Sequence, residues 1–157
     1  MRRSVSSLLL GSLLVTGGVR LGAAQSATRS LYDRLGGVYN IATVVDDFIE
    51  RLLVDDTLNA NPAIRAARAR VPKAGLKYQV TALVCEATGG PCKYTGRSMK
   101  EAHAHLNIDE EQWKAMVADL VDTLDKFRVP KKEQEELIAI VASTKGDIVK
   151  EPSVSSK

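Results

Sequence analysis

From Gly37 onward the apolar positions recur every three or four residues, the spacing of one helix face. Val38, Ile41, Val45, Phe48, Ile49, Leu52 and Leu53 share that face, while Asp46, Asp47, Glu50 and Arg51 take the others. This predicts a helix over residues 38 to about 54, set off from a short opening segment, 30–35, by Gly36-Gly37. A second helix, 75 to about 87, places Leu76, Val80, Leu83, Val84 and Ala87 together, and Gly89-Gly90-Pro91 ends it. Asp109 is placed to cap a third helix, with Gln112 as its return partner. That helix carries Trp113, Met116, Val117, Leu120, Val121 and Leu124. Val129-Pro130 resets the chain, with Pro130 at the first helical position of a last helix over 131–149. Residues 55–74 read as irregular, with one or two turns between Pro62 and Pro72. Residues 92–108 read as a polar connector holding one short apolar turn, 99–103. Nothing reads as a strand. The class is all-α, and a plain helical bundle satisfies the pattern as well as any other helical fold.

At 157 residues, 45% hydrophobic and 26% charged, the chain has the size and composition of one globular domain. Its charge is unevenly placed. Residues 1–24 hold Arg2, Arg3 and Arg20 and no acid, whereas the remaining 133 carry 19 basic and 19 acidic side chains. A neutral domain has no bulk attraction for nucleic acid, which is not expected as a partner. Met1-Arg2-Arg3, the apolar run 8–15 and the small residues ending Gly22-Ala23-Ala24 follow the order of a secretory signal cleaved after Ala24. An uncleaved anchor is the competing reading, but the run is far shorter than the ~20 residues of a spanning helix. The expectation is a signal peptide over 1–24, a domain over 25–150 and a loose tail over 151–157. The mature protein would be exported, to the periplasm, without stable membrane insertion.

Export bears on Cys85 and Cys92. With six residues between them they can pair in an oxidising compartment, the alternative being two reduced thiols. The only histidines are His103 and His105, so any imidazole chemistry comes from the connector. A lone histidine there is ordinarily exposed or hydrogen-bonded. A zinc site is weaker still, because residues two apart on a helical turn point away from each other. No Ser/His/Asp set or Gly-rich phosphate loop is present.

The residues Leu31-Tyr32-Asp33-Arg34-Leu35-Gly36-Gly37, Val45-Asp46-Asp47-Phe48 and Asp55-Asp56-x-Leu58 resemble the opening of group I truncated haemoglobins. The likeness continues through Gly89-Gly90-Pro91 and Tyr94-Thr95-Gly96-Arg97-x-Met99-Lys100-x-Ala102-His103, then Ile108, Leu120, Leu124-Asp125-Lys126 and Val129-Pro130. It spans roughly residues 30–142, and the run ending at His103 is its specific part. The resemblance implies a two-over-two helical sandwich holding haem b, with His103 as the proximal ligand to the iron. Neutral imidazole suits that role, and one histidine leaves the sixth position open. Tyr94, Met99 and Trp113 join the implied haem pocket, Trp113 also being a core residue by its spacing.

The distal side departs from the family. Ile49 falls where the family has a tyrosine, and Leu76, Val80, Leu83 and Val84 fall on distal positions; a one-residue shift would bring in Gln79. The family's wedging phenylalanine falls at Asn61 or Pro62. Arg65, Arg68, Lys73 and Lys77 either meet haem propionates or form a solvated basic face. The expected function is binding of a diatomic gas, oxygen or nitric oxide, with a reductase as a further partner. One alternative is a haem enzyme, a nitric oxide dioxygenase or a peroxidase-like protein. The other is a globin-fold binding module that has lost its haem.

Overall fold

In the computed structural model, which describes residues 29–150, the apolar stripe 38–53 winds into one long helix. The expected signal segment and tail lie outside the described residues. The element order is α1 (Leu31–Arg34), α2 (Gly37–Val54), α3 (Asp56–Ala60), α4 (Pro62–Arg68), α5 (Lys73–Ala87), α6 (Met99–His103), α7 (Glu110–Lys126), α8 (Lys131–Ala142) and α9 (Lys145–Ile148). Gly36 and Gly37 have φ of 85° and 82°, a backbone that glycine alone adopts freely, so α1 and α2 cannot merge. The expected capping box at Asp109 and Gln112 is present at the start of α7. Pro130 sits one position earlier than expected, as the cap of α8.

Two expectations are corrected. Residues 55–74 are not irregular: Asp55 accepts the Leu58 N–H at 2.7 Å and starts α3, and Asn61 caps α4, whose first residue is Pro62. Helices of 5 and 7 residues are too short to show a periodicity, so their caps are the only trace in the sequence. The last helix does not run to Val149. The hydroxyls of Ser143 and Thr144 turn back to the carbonyls of Ile140 and Val141, each at 2.7 Å, and α8 ends at Ala142. The chain resumes as α9, which lies against α6, and Val149 makes an isolated parallel bridge with Ile108. This detour brings Ile148 into the interior instead of carrying it off the end of a long helix.

Helix α2 packs most extensively on α5 and next on α7, α7 packs on α8, and α1 bridges α2 and α8. The four long helices form the two-over-two arrangement. Leu31, Leu120, Leu124 and Leu137 make one buried cluster, and Ile41, Val45, Ile49 and Cys85 the other. Ion pairs clasp the helices outside the core. Lys77 reaches Asp46 and Glu50 of α2, and Lys126 of α7 reaches Asp47. Among the described residues, no helix is long and apolar enough to cross a membrane.

Candidate functional site

A cavity of about 1110 Å³ opens between the two helical layers. Its walls come from α2 and α5 on one side and α6, α7 and α8 on the other, with Ile148 of α9 closing one end. All nine residues singled out from the sequence line it: His103, Ile49, Leu76, Val80, Leu83, Val84, Tyr94, Met99 and Trp113.

His103 ends α6, a helix of only 5 residues. So short a helix does not hold itself, and its start is closed by a reciprocal capping box. The Glu101 N–H donates to Ser98 Oγ at 3.2 Å, and the Ser98 N–H donates to Glu101 Oε2 at 3.1 Å. The Ser98 hydroxyl, which donates to Glu101 Oε2 at 2.7 Å, and then the Ser98 N–H hold the Glu101 carboxyl below its ordinary pKa. At the other end, His103 Nδ1 lies 2.8 Å from the Met99 carbonyl oxygen, which can only accept, so Nδ1 carries the proton. In the neutral ring this leaves Nε2 as the nitrogen with a free lone pair, the form in which imidazole ligates a metal. His105 also borders the cavity but is exposed, and among the described residues no hydrogen bond fixes its ring. No group of three or more His, Cys, Asp and Glu that could hold a metal ion forms among the described residues.

Opposite this turn stand α2 and α5. Ile49 is 2% exposed and projects from the face of α2 that packs on α5. Gln79 joins Leu76, Val80, Leu83 and Val84 on the cavity wall, so no shift of register is needed to include it. Its Oε1 is buried with no hydrogen-bond partner. An orphaned amide oxygen in an apolar wall is costly unless something in the cavity meets that amide.

The four basic residues divide between the two readings left open for them. Lys73 and Lys77 do not line the cavity; they bind Glu50, and Lys77 also Asp46 at 2.6 Å. Hydrogen bonds from Lys77 and then Lys73 lower the Glu50 pKa, and those to Asp46 and Glu50 raise that of Lys77. Arg65 bonds the carbonyls of Asn59 and Ala60. Arg68 borders the cavity but donates to the carbonyls of Leu52 and Leu53 and to Asn59 Oδ1. The exposed basic side chains at the cavity rim are Arg70 and Arg97, which the sequence reading did not single out.

Leu58 and Ile64, on the two short helices, also line the cavity; Leu58 belongs to the Asp55-Asp56-x-Leu58 motif, but no helical stripe placed either residue on the wall. Cys85 and Cys92 form a disulfide with Cα atoms 5.7 Å apart. Cys85 is completely buried, and the bond ties the last turn of α5 to the segment leading to α6. Tyr94 in that segment donates its N–H to Glu86 Oε2 at 3.0 Å and its hydroxyl to the Arg97 carbonyl at 2.7 Å.

Comparison with known proteins gives this arrangement a family. The bacterial-like globin family matches residues 30–150. A group 1 truncated haemoglobin of Synechocystis is 37% identical over 121 residues, 74% of this chain and 90% of that protein. The chain belongs to the group 1 truncated haemoglobins. A second relative in this family, from Mycolicibacterium paratuberculosis, is 30% identical over 72% of this chain and 79% of its own length. The 2/2 haemoglobin from Synechococcus, solved in the cyanomet state with covalently attached haem, superposes with a TM-score of 0.68. It is 26% identical, covering 77% of this chain and 98% of that one. The Fe(III) form of truncated haemoglobin from Tetrahymena pyriformis shares the fold, with a TM-score of 0.69 at 23% identity over 78% of this chain and all of that one.

Proposed function

We propose that this chain binds haem b and, through it, a diatomic gas, with His103 as the single protein ligand to the iron. Membership of the globin family supports haem-based gas binding in general. The observation that carries the finer reading is His103 itself, its Nδ1–H held by the Met99 carbonyl and its ring on the wall of a large apolar cavity. The residues fit the group. At about 1110 Å³ the cavity has room for a flat macrocycle, at the upper end of the ~300–1,000 Å³ of small-molecule and cofactor pockets. Its walls are mostly apolar, and Arg70 and Arg97 at the rim suit two carboxylates. When bound, such a haem supplies an iron with one open position at which oxygen or nitric oxide binds.

The chain's own residues do the rest. Met99 fixes the tautomer of His103, and the capping box fixes the turn that carries it. Ile49, Leu76, Val80, Leu83 and Val84 exclude water from the opposite wall. The Gln79 amide is the buried polar group that they leave there. A half-turn of that amide exchanges its oxygen for the Nε2 donor. That group also supports the second reading, turnover of nitric oxide or peroxide with electrons from a reductase. The deciding measurement is the absorption spectrum after adding haem to the purified chain. A Soret band at one haem per chain is expected, and its absence would leave a haem-free binding module. Consumption of many equivalents of nitric oxide per haem with a reductant supplied, against a single equivalent, then separates a dioxygenase from a carrier.

We further propose that the domain acts after export to the periplasm. The order of residues 1–24 and the Cys85–Cys92 disulfide support this. Fractionation of cells making the full chain tests it, and cytoplasmic retention would reject it.

A further inference from the structure

Asn61 stands at the corner between α3 and α4, and it is buried, 7% exposed. Its side-chain amide uses all four of its hydrogen-bonding positions, and they go to three separate parts of the fold. Oδ1 accepts the N–H groups of Ala63 at 2.8 Å and Ile64 at 3.3 Å, capping α4. Nδ2 donates to the Leu106 carbonyl at 2.8 Å and to Gln112 Oε1 at 3.0 Å. Gln112 belongs to the first turn of α7, and its side chain forms the return bond of the Asp109 capping box. Leu106 lies three residues after His103 and donates its own N–H to the His103 carbonyl at 2.9 Å. A chain of two hydrogen bonds thus runs from the α3–α4 corner to the backbone of His103.

The cap alone does not explain an amide here. Aspartate caps a helix as well as asparagine does but has no donor when ionised, and serine has a single donor on a shorter side chain, too few for bonds to both Leu106 and Gln112. An apolar side chain in the same place would fill the corner without the cost of burying four polar contacts. The donor side of Asn61 goes to the connector behind His103, which otherwise has few ties. These are the Leu106–His103 turn itself and the bonds from Lys150 to the Ile108 carbonyl and Asn107 Oδ1.

We infer that Asn61 is a positioning residue for His103: through Leu106 it holds the histidine turn in register with the wall formed by α3 and α4. This rests on the proposal that His103 ligates haem iron. Asn61→Ser keeps an oxygen for the α4 cap and removes both long-range donations. In the ferrous, haem-loaded full chain, the iron–histidine stretching band in resonance Raman should shift and broaden. Transfer of haem to an excess of a scavenging apoprotein should quicken roughly tenfold, the scale of one lost hydrogen bond. If Asn61→Ser fails to fold, Asn61→Asp, equal in size and still a cap, carries the same expectation. An unchanged band and unchanged haem transfer in a folded variant, with only Tm lowered, would overturn the inference. Absence of a Soret band in the unmodified chain would instead overturn the parent proposal.

Discussion

The Nδ1 of His103 lies 2.8 Å from the carbonyl oxygen of Met99, one turn earlier in the same short helix. Met99 is the first residue of α6, and its carbonyl has a second lone pair beside the one used in the helix, so it can hold the ring N–H and orient it. The bond commits one nitrogen and frees the other. His103→Ala should therefore abolish haem binding at one equivalent, and His103→Gly should recover a spectrum when imidazole is added. His105→Ala, which alters an exposed ring, should leave the Soret band in place. The reverse pattern between the two histidines would reject the assignment.

The wall facing His103 is largely apolar, and Gln79 on it carries a buried amide oxygen without a partner. A hydrogen-bond donor against the gas slows oxygen release, while carbon monoxide gains far less from it. Gln79→Leu should raise the oxygen release rate on the order of tenfold, the loss of about one hydrogen bond, and leave carbon monoxide release nearly unchanged. Ile49→Tyr should act in the opposite direction, placing a hydroxyl on the α2 wall and slowing release by roughly tenfold. Stopped-flow displacement of oxygen by carbon monoxide measures both. Equal rates for Gln79→Leu and the unmodified protein would show that the amide does not reach the gas.

What the sequence disclosed and what it hid follow one physical rule. The walls built from α2 and α7 are long amphipathic helices whose stripes name Ile49 and Trp113 directly, and the apolar spacing along the long α5 names Leu76 and Val80. The α3–α4 corner is made of helices of 5 and 7 residues, whose order comes from single caps and from contacts distant in sequence. Nothing local shows that Asn61 pairs with Leu106, 45 residues away, or that Leu58 and Ile64 reach the cavity. The destinations of Lys73 and Lys77 were equally hidden. A positive side chain reads the same in sequence whether it faces a cavity rim or an acidic helix beside it.

Gly90 and the disulfide form one crowded joint. A Cβ at Gly90 would stand 2.7 Å from both the carbonyl oxygen and the sulfur of Cys85. Backbone and a bonded sulfur cannot move aside, so Gly90→Ala should destabilise the fold by about 1–3 kcal/mol, the usual cost of overpacking. Loss of the cross-link through Cys85→Ala with Cys92→Ala should cost about 2–3 kcal/mol, mainly by freeing the unfolded chain. Denaturant midpoints of the two variants check these values. Labelling of the denatured, unreduced protein should find no free thiol.

Asp119 on α7 carries a carboxylate oxygen, Oδ2, that is buried without a hydrogen-bond partner. Burial first, and then the charge of Asp55, raise its pKa above the ordinary carboxylate value, with Arg51 opposing and Asp122 adding to the shift. A carboxyl raised in the folded state favours folding while it is protonated and loses that contribution as pH rises through the shifted value. Asp47, Glu50, Asp125 and Glu136 shift the other way, held down chiefly by Lys126, Lys77, Lys131 and Arg34 respectively. Their contribution is present above the ordinary range and fades as pH falls through it, so the whole protein should still weaken in acid. The difference between Asp119→Asn and the unmodified chain isolates the one inverted group. At pH 7 the variant should be more stable by about 1 kcal/mol or less, the scale of one unsatisfied buried acceptor. That advantage should shrink as the pH falls through the shifted value and be gone below about 3, under the ordinary aspartate value, where the carboxyl is neutral in both states. Thermal unfolding of both chains across this range tests it; a variant less stable at neutral pH would show that the Asp119 charge is stabilising after all.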